Sequence, residues 1–518
     1  PRNLLDKYNK DIITDNLIFN LNKYSLITRQ SSLNKILTFS IHRSTQEISL
    51  AYFINALNLK EDSPLLHKIG NVLEEYSADI VDKEDFISMK GLISHCETFL
   101  NHDYFLSTDI KSIISTELGG IYFHLSDYIK AQNILTNCQE TLKHYHLYPQ
   151  LAKSLIYLGN TLRKLGDYEK AKSCMENGIK VYEHHLPQEK FRLSWAFVQL
   201  ANVYKALGKY KNAISLFEKG IQLQKKYFPQ NYIFIAWSIG HLANVYWEFG
   251  HYIKAKQLFE ESLKIYRTYL ANNYIGTAWV YVHLGAVYRD LGLYNQAKEL
   301  LHESLVFYKK EFPDNHMDIA GALGFLGNVY CDLKSYKKAE ELINQSLEIY
   351  KHNVSQSHVY FAWAQANLAN VYQKVGRYSE AKNLLTNSLT IYENNFGREH
   401  TETARILKQL GENYFLEGNL DKAESFLKEA LDVYQRNNHP ESYDCLEILA
   451  SLYIKKSKEE KKKNNHIQSD HLYNKGISYL NESLRTIRKN FPKSSPHIKR
   501  IQEKLIKFGT IKKGQTTL

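Results

Sequence analysis

The chain has 518 residues, of which 44% are hydrophobic, with only nine prolines and a formal net charge of +11. The five cysteines lie far apart and form no CxxC pair, which argues against a disulfide framework and favours a reducing, cytoplasmic compartment. The N-terminus is charged and no apolar run approaches the length needed to cross a bilayer, so neither a signal peptide nor a membrane span is expected.

Residues 1–58 do not share the pattern of the rest of the chain. They predict a helix, a strand at Tyr24–Thr28, a polar turn, a second strand at Leu37–Ile41 and a helix that begins near Ser44. This stretch resembles the winged-helix segment that closes the nucleotide-binding core of STAND ATPases, the NB-ARC class of immune sensors. The first residue is Pro1 and not methionine, so we expect the chain to be a piece of a longer protein.

The resemblance implies one residue that contacts nucleotide. His42 matches the histidine of the family's Met-His-Asp motif, which contacts the β-phosphate of ADP in the resting state, although Arg43 replaces the aspartate. The alternative is that His42 is a polar residue at a strand end. The chain has no GxxxxGK[ST], GxSxG or HExxH sequence, so any ATPase activity would lie upstream of Pro1. We therefore expect a protein that is not an enzyme and that has neither a cofactor nor a metal site.

Residues 59–115 have a poor repeat signal and are predicted to form a helical spacer. From about residue 116 to 490 the sequence consists of internal repeats, and the central repeats all have the same length. The leucines that open each copy mark this period: Leu158, Leu200, Leu242, Leu284, Leu326, Leu368 and Leu410. Weaker copies flank the series, which gives about nine units. A constant period of this size, which falls within the range of roughly 20–50 residues, indicates a solenoid of stacked repeats.

Each repeat predicts two amphipathic helices separated by a tight turn. Apolar residues recur three and four apart over 197–207 and again over 210–221, and Gly208 stands between the two runs. The pattern Leu-Gly/Ala, Tyr, Gly, Tyr, Ala resembles the tetratricopeptide repeat, in the longer form found in kinesin light chains and Leu-Gly-Asn repeat proteins. The resemblance implies an all-α fold, a right-handed α-α superhelix, preceded here by the small winged-helix segment.

Two columns of side chains recur on the first helix of the repeats. Positions seven apart share one face of a helix, and in tetratricopeptide arrays that face lines the concave surface. The resemblance implies that the asparagines bind the main chain of a peptide, while tryptophan supplies a large contact area. Alternatively, the asparagines brace neighbouring repeats and the tryptophans are wedges between repeats. The candidate binding residues are Asn160, Asn202, Asn244, Asn328 and Asn370, with Trp195, Trp237, Trp279 and Trp363.

The positive charge is concentrated at the C-terminus, where residues 451–518 carry 17 lysines and arginines against five acids. We interpret KKSKEEKKKNNHIQSDH as an insertion that lengthens the last repeat, and residues 491–518 as a basic, solvated cap. The alternative is a contact with an acidic partner or nucleic acid. Nucleic acid is disfavoured, because residues 1–58 carry little excess basic charge.

The sequence therefore predicts a protein-binding repeat scaffold. The preferred hypothesis is the ligand-sensing arm of a STAND-type ATPase, which binds a protein or peptide on its concave face and oligomerises through an upstream domain. The alternatives are a cargo or scaffold adaptor resembling kinesin light chain and a transcriptional regulator that uses the winged helix.

Overall fold

The computed structural model describes residues 27–31, 37–41, 64–82, 85–101, 106–269, 275–493 and 495–508. The chain divides into two compact units, Pro1–Gln150 and Leu151–Leu518. The described residues form one β-hairpin and 21 helices. None of these helices combines the length and the apolar character that crossing a membrane requires.

The first unit contains an antiparallel hairpin of β1 (Ile27–Ser31) and β2 (Leu37–Ile41), in register from Ile27 opposite Ile41 to Ser31 opposite Leu37. The first strand ends three residues later than the predicted Tyr24–Thr28, because all five residues of β2 need a partner. The rest of residues 1–58, His42 included, lies outside the described residues. The winged-helix assignment and the role of His42 stay predictions.

Four helices follow in the first unit: α1 (Pro64–Asp82), α2 (Phe86–Asn101), α3 (Thr108–His124) and α4 (Tyr128–His144). The last two form a helical hairpin with a tightly packed interface. A Cβ at Gly119 would overlap the Leu135 side chain, so glycine allows the two helices to approach closely.

Eight pairs of antiparallel helices and one terminal helix complete the described part of the chain. The first helices of the pairs are α5 (Tyr148–Leu165), α7 (Lys190–Ala206), α9 (Tyr232–Glu248), α11 (Ile275–Asp290), α13 (Met317–Asp332), α15 (Val359–Lys374), α17 (Thr401–Glu417) and α19 (Ser442–Lys462). The second helices are α6 (Tyr168–His185), α8 (Tyr210–Tyr227), α10 (Tyr252–Tyr269), α12 (Tyr294–Glu311), α14 (Tyr336–Asn353), α16 (Tyr378–Phe396), α18 (Leu420–Arg436) and α20 (His466–Asn490), and the terminal helix is α21 (Pro496–Lys507). The predicted all-α solenoid is confirmed.

The turn within each repeat requires a left-handed residue. At Gly250, φ is +80°, and the Gly250 and His251 amides donate to the carbonyls of Trp247 and Tyr246, which closes the end of α9. Lys334 occupies the equivalent position in one of the repeats that lack this glycine, and it adopts the same conformation with φ of +63°.

A column of fully buried alanines lies near the start of the second helices. Alanine has no side chain beyond Cβ, so the two helices of a repeat can pack closely at this point. The column consists of Ala171, Ala213, Ala255, Ala297, Ala339, Ala381 and Ala423, each with 0% exposure.

The first helices form the inner side of the second unit. Consecutive first helices from α7 to α19 approach one another closely, whereas consecutive second helices in the described part of the chain lie farther apart. A stack of helix pairs curves toward the side on which its helices are closest. We call the side of α5 to α15 that faces the axis of this curve the inner surface.

The superhelix curves far enough for one turn to pack against the next. The hydroxyls of Tyr210 and Thr401 lie 2.9 Å apart, and His439 Nε2 lies 2.8 Å from the backbone oxygen of Glu248. Both contacts join residues 191 positions apart, which corresponds to between four and five repeats. We call these contacts the turn closure.

The turn closure gives a prediction that two glycines can test. Gly250 and Gly376 have φ of +80° and +84°, but a Cβ at Gly250 would overlap the ring of Pro440, whereas no atom of the described residues lies near a Cβ at Gly376. We expect Gly376→Ala to cost about 1–2 kcal/mol from left-handed strain alone. Gly250→Ala should cost roughly 1 kcal/mol more because of overpacking. Urea unfolding of both variants measures the difference, and equal losses would contradict the turn closure.

Candidate functional site

A row of alternating tryptophan and histidine rings runs along the inner surface from α9 to α11. The ring centroids of Trp237 and His241 are 4.2 Å apart, those of His241 and Trp279 are 4.6 Å apart, and those of Trp279 and His283 are 4.3 Å apart. All four side chains are half-buried. We call these four residues the aromatic row.

The two histidines of the aromatic row are neutral at neutral pH. Burial lowers the pKa of His283 to about 3, and the Lys205 ammonium adds to this effect. Burial also holds the pKa of His241 well below its usual range, again with a contribution from Lys205. The aromatic row therefore presents flat, uncharged rings to the interior.

The tryptophans of the predicted column also pack between repeats. Trp279 lies over Gly240 of the preceding repeat, where a Cβ would come within 3.0 Å of the indole, and a Cβ at Gly324 would overlap Trp363. Trp195 contacts Tyr157 with a centroid distance of 5.7 Å. Because these tryptophans are only half-buried, the wedge contacts leave part of each indole accessible.

The asparagine column is more deeply buried than the tryptophan column. Asn160, Asn202, Asn244 and Asn328 are at most 5% exposed, whereas Asn370 is half-buried. These side chains contact other protein atoms or are buried among them, and this geometry favours a role in packing the repeats over a role in ligand binding. The binding role of this column stays a prediction.

The asparagines differ in their contacts, because some bond within their own helix and others reach a neighbouring repeat. The Asn202 Nδ2 donates to the Val198 carbonyl of its own helix at 3.2 Å, and Asn370 Nδ2 lies 3.7 Å from Cys331 Sγ of the preceding repeat. Asn160 Oδ1 is buried without a hydrogen-bond partner among the described residues.

Asn244 connects three consecutive repeats. Its Oδ1 accepts a hydrogen bond from Lys205 Nζ at 2.6 Å, and its Nδ2 lies 3.2 Å from His283 Nδ1. Lys205 belongs to the repeat before and His283 to the repeat after. Asn244 thus joins the aromatic row to the charged side chains beside it.

A second row, of polar and charged side chains, lies at the C-terminal ends of the first helices. Lys205 Nζ is 2.9 Å from Glu248 Oε1, Trp247 Nε1 donates to Asp290 at 2.6 Å, and Arg289 Nε donates to Asp332 at 2.6 Å. Each bond joins one repeat to the next. We call these residues the charged row: Lys205, Trp247, Glu248, Arg289, Asp290 and Asp332.

Burial changes the acidity of two carboxyls in the charged row. It raises the pKa of Asp290 to about 6, although the neighbouring Arg289 opposes the shift. It also raises the pKa of Glu248, and there Lys205 opposes the shift. Both carboxyls depend on their hydrogen-bond donors to keep a charge in this environment.

The end of α5 adds a cation that the described residues leave unpaired. Lys164 makes no hydrogen bond or ion pair with any of them. Burial and the charge of Arg163 lower the pKa of Lys164 to about 8, and Lys205 contributes in the same direction while Asp318 opposes it. An anionic group of a ligand would complement this position.

The structure thus brings together Trp237, Trp279 and Asn244 from the sequence prediction, with the other predicted columns continuing along the inner surface. His241, His283 and the charged row were not predicted from the sequence. The sequence signal for the charged row is that one position of the repeat varies strongly. This position holds Lys205, Trp247 and Arg289 in three successive repeats.

This architecture is a helical-repeat solenoid whose inner surface is formed by the first helix of every pair. A family model described as the tetratricopeptide repeat matches residues 112–184, 192–268, 276–352 and 360–436, together more than half of the chain. The chain belongs to the tetratricopeptide repeat family. Comparison with curated proteins finds no match.

Two Rap structures share the fold, and a third structure is similar over part of its length. A Rap protein complexed with competence and sporulation factor is 14% identical with a TM-score of 0.57, covering 72% of this chain and 99% of that one. The Rap conjugation gene regulator of plasmid pLS20, in complex with the Phr* peptide, is 15% identical with a TM-score of 0.50, covering 72% and 96%. A STAND protein with a tetratricopeptide repeat sensor from Pyrococcus horikoshii is 16% identical with a TM-score of 0.36, covering 74% and 56%.

Proposed function

We propose that the chain binds an extended peptide, or an extended segment of a protein, along the inner surface of its second unit. The observation that carries the proposal is the aromatic row, which places four half-buried rings in contact beside hydrogen-bonding side chains. Rings give a large contact area at little entropic cost, and the polar neighbours fix the orientation of a backbone. The two Rap structures, one in complex with competence and sporulation factor and one with the Phr* peptide, give further support.

The aromatic row and Lys164 indicate the chemistry of the ligand. Neutral rings favour apolar or aromatic side chains, and the Lys164 ammonium at the end of α5 favours a carboxylate. We therefore propose a peptide with apolar residues along the row and an acidic group that reaches Lys164.

Selection from a random peptide library on the immobilised full chain tests the proposed function. We expect the recovered peptides to compete with one another and to be enriched in aromatic and acidic residues. Recovered peptides that bind variants of the aromatic row as well as they bind the wild type would overturn the site.

The Lys164 contact gives a prediction with a pH signature. Lys164→Ala should weaken the binding of an acidic selected peptide by about tenfold, the effect of one lost charge-assisted hydrogen bond. Wild-type affinity should fall as the pH rises through about 8, because only the protonated amine attracts the carboxylate. Fluorescence anisotropy from pH 6.5 to 9.5 measures both effects.

Two comparisons isolate the Lys164 contact. Lys170→Ala changes an exposed lysine on α6 that pairs with Asp167, and it should leave affinity unchanged. A peptide in which the acidic residue is replaced by its amide should lose the pH dependence. If that peptide keeps the same pH profile, Lys164 does not contact the acidic group.

We further propose that the array is the ligand-sensing arm of a STAND-type ATPase in the cytoplasm, in which ligand binding relieves autoinhibition. The resemblance of residues 1–58 to a winged-helix segment and the five free cysteines support this. Reading the gene upstream of Pro1 tests it. A phosphate-binding loop and a Walker B sequence there would support the sensor, whereas a start codon directly before Pro1 would remove it.

A further inference from the structure

Histidines at the start of three helices touch the preceding turn of the superhelix. His439 Nε2 is 2.8 Å from the Glu248 backbone oxygen, while its Nδ1 accepts the Glu441 amide at 3.3 Å. Only a neutral ring that carries its hydrogen on Nε2 satisfies both contacts. The same ring therefore accepts the amide of the residue that precedes α19 and holds the turn below.

Two further histidines touch the equivalent turns of the neighbouring repeats, each with one ring nitrogen unpaired among the described residues. His497 Nε2 is 3.1 Å from the Asp290 backbone oxygen, and its Nδ1 is buried without a hydrogen-bond partner among the described residues. His400 Nδ1 accepts the Glu402 amide at 3.1 Å, and its Nε2 lies buried against the Gly208 turn beside the Ala206 carbonyl, without a hydrogen bond to the described residues. The three carbonyls, of Ala206, Glu248 and Asp290, occupy the same position in three successive repeats, so each repeat along this stretch provides one contact.

The contacted carbonyls belong to residues at the edge of the proposed site. Glu248 accepts His439 through its backbone and Lys205 through its side chain. Asp290 accepts His497 through its backbone and the Trp247 indole through its side chain. A movement of the turn closure therefore moves the charged row.

We propose that His400, His439 and His497 form a clasp that holds the superhelix closed, and that protonating the clasp opens the inner surface and weakens ligand binding. The opening concerns the chain alone, whereas its effect on the ligand rests on the proposed function.

Protonation conflicts with the geometry of each histidine. A proton on Nδ1 of His400 or His439 would face the amide donor that the nitrogen now accepts, and a positive charge at a helix N-terminus is unfavourable. Glu402 faces His400, and Glu441, His251 and the Tyr434 ring face His439.

His497 is surrounded by charges of both signs. Arg500 faces it together with the carboxylates of Asp444 and Glu447, and the Tyr443 ring packs against it. The carboxylates moderate the cost of a charge here, but none of the described residues supplies an acceptor for a proton on Nδ1.

The sign of the pH effect follows from burial, which lowers the pKa of His400 and of His497 below the ordinary value of about 6.5. The closed state therefore binds fewer protons than an opened or unfolded state. The stability that these neutral histidines contribute is present above about pH 6.5 and is lost as the pH falls below it, toward the lowered pKa of the closed state.

The test uses the full chain without ligand at pH 7.5 and pH 5.5. We expect the wild type to show a larger radius of gyration by small-angle X-ray scattering at pH 5.5. Amide exchange at residues 248–252, corrected for intrinsic rates, should be about tenfold faster there, the effect of losing one hydrogen bond. An unchanged radius and unchanged exchange in the wild type would overturn the clasp.

A non-titrating variant separates the clasp from general acid expansion. Changing all three histidines to glutamine keeps an N–H donor but removes the titration, so this variant should be equally compact at both pH values. His184→Gln changes an exposed histidine of α6 and should behave as the wild type. A glutamine variant that expands at pH 5.5 as much as the wild type would also overturn the clasp. Should this variant be open at pH 7.5, the wild-type exchange at residues 248–252 decides alone.

The effect on binding is measured separately with a selected peptide. Affinity that falls at pH 5.5 in the wild type but not in the glutamine variant would support regulation by the clasp. Equal affinity in an expanded wild type would remove the regulation and leave the peptide site intact. Failure of every selected peptide to depend on the aromatic row would instead remove the proposed function and leave the clasp unaffected.

Discussion

Replacing Trp237 and Trp279 together with alanine is expected to weaken the binding of a selected peptide by about 100-fold or more. Large aromatic anchors at the centre of an interface each contribute about 2 kcal/mol or more when they are truncated. Isothermal titration calorimetry measures the affinity, and a melting curve gives the folded fraction. Because Trp279 also packs over Gly240, some loss of stability is expected as well, and affinity must be counted per folded molecule.

Two comparisons make this result specific. Trp237→Phe with Trp279→Phe keeps flat rings and should recover most of the affinity. Asn202→Ala with Asn244→Ala removes a buried hydrogen bond within α7 and a brace between repeats, so we expect a lower melting temperature with little change in affinity per folded molecule. If the asparagine variant instead loses affinity at an unchanged melting temperature, the asparagines bind the ligand backbone. Unchanged affinity in the tryptophan variant would exclude the aromatic row.

Removing both cations that hold Glu447 is expected to destabilise the C-terminal end of the array by about 3–5 kcal/mol. The Glu447 side chain is 5% exposed, with Arg500 Nη2 at 2.6 Å and Lys504 Nζ at 2.8 Å. Changing Arg500 and Lys504 to alanine would leave a buried carboxylate without these counter-charges. Thermal unfolding of the variant measures the loss of stability, and hydrogen exchange of the α19 amides shows whether the loss is at this end of the array.

The control for this prediction changes the carboxylate itself. Adding Glu447→Gln to the double variant removes the buried charge and should restore much of the lost stability. Lys499→Ala, at an exposed position of the same helix, should have little effect. If the double variant is as stable as the Lys499 variant, the ion pairs contribute nothing to the attachment of α21.

The periodic part of the fold could be predicted from sequence because its causes are local. Repeating leucines, alanines and turn glycines specify helix faces and helix ends within a single repeat, and each repeat confirms the others. The first strand was misplaced because its limits depend on pairing with Leu37–Ile41. Local sequence does not contain that register.

The site was only partly predictable, for a different reason. The tryptophan and asparagine columns are visible because they recur at one position. The donors Lys205, Trp247 and Arg289 differ in charge and type from repeat to repeat, and their carboxylate partners lie 43 residues away, so no single unit shows the pattern. His439 and Pro440 meet Glu248 and Gly250 only because of the pitch of the superhelix, which emerges from many small packing angles.

The C-terminal segment differs in detail from the solvated basic cap that its composition suggests. Ile501 and Leu505 of α21 are fully buried, and two of its cations neutralise a buried carboxylate. Net charge predicts only that a segment as a whole is exposed to solvent. It does not reveal which cations turn inward.

The turn closure also determines where the array can grow. The contact of His439 with Glu248 spans 191 residues, whereas that of His497 with Asp290 spans 207, yet both join a histidine Nε2 to the backbone oxygen at the same position of the repeat. The additional residues lengthen α19 and α20, which have 21 and 25 residues. Because the two helices are antiparallel, the chain enters and leaves the longer hairpin at the same end. The extra length of this repeat lies at the tip of its helical hairpin, so a foreign loop or reporter domain inserted near Asn464 should leave the register of the superhelix unchanged.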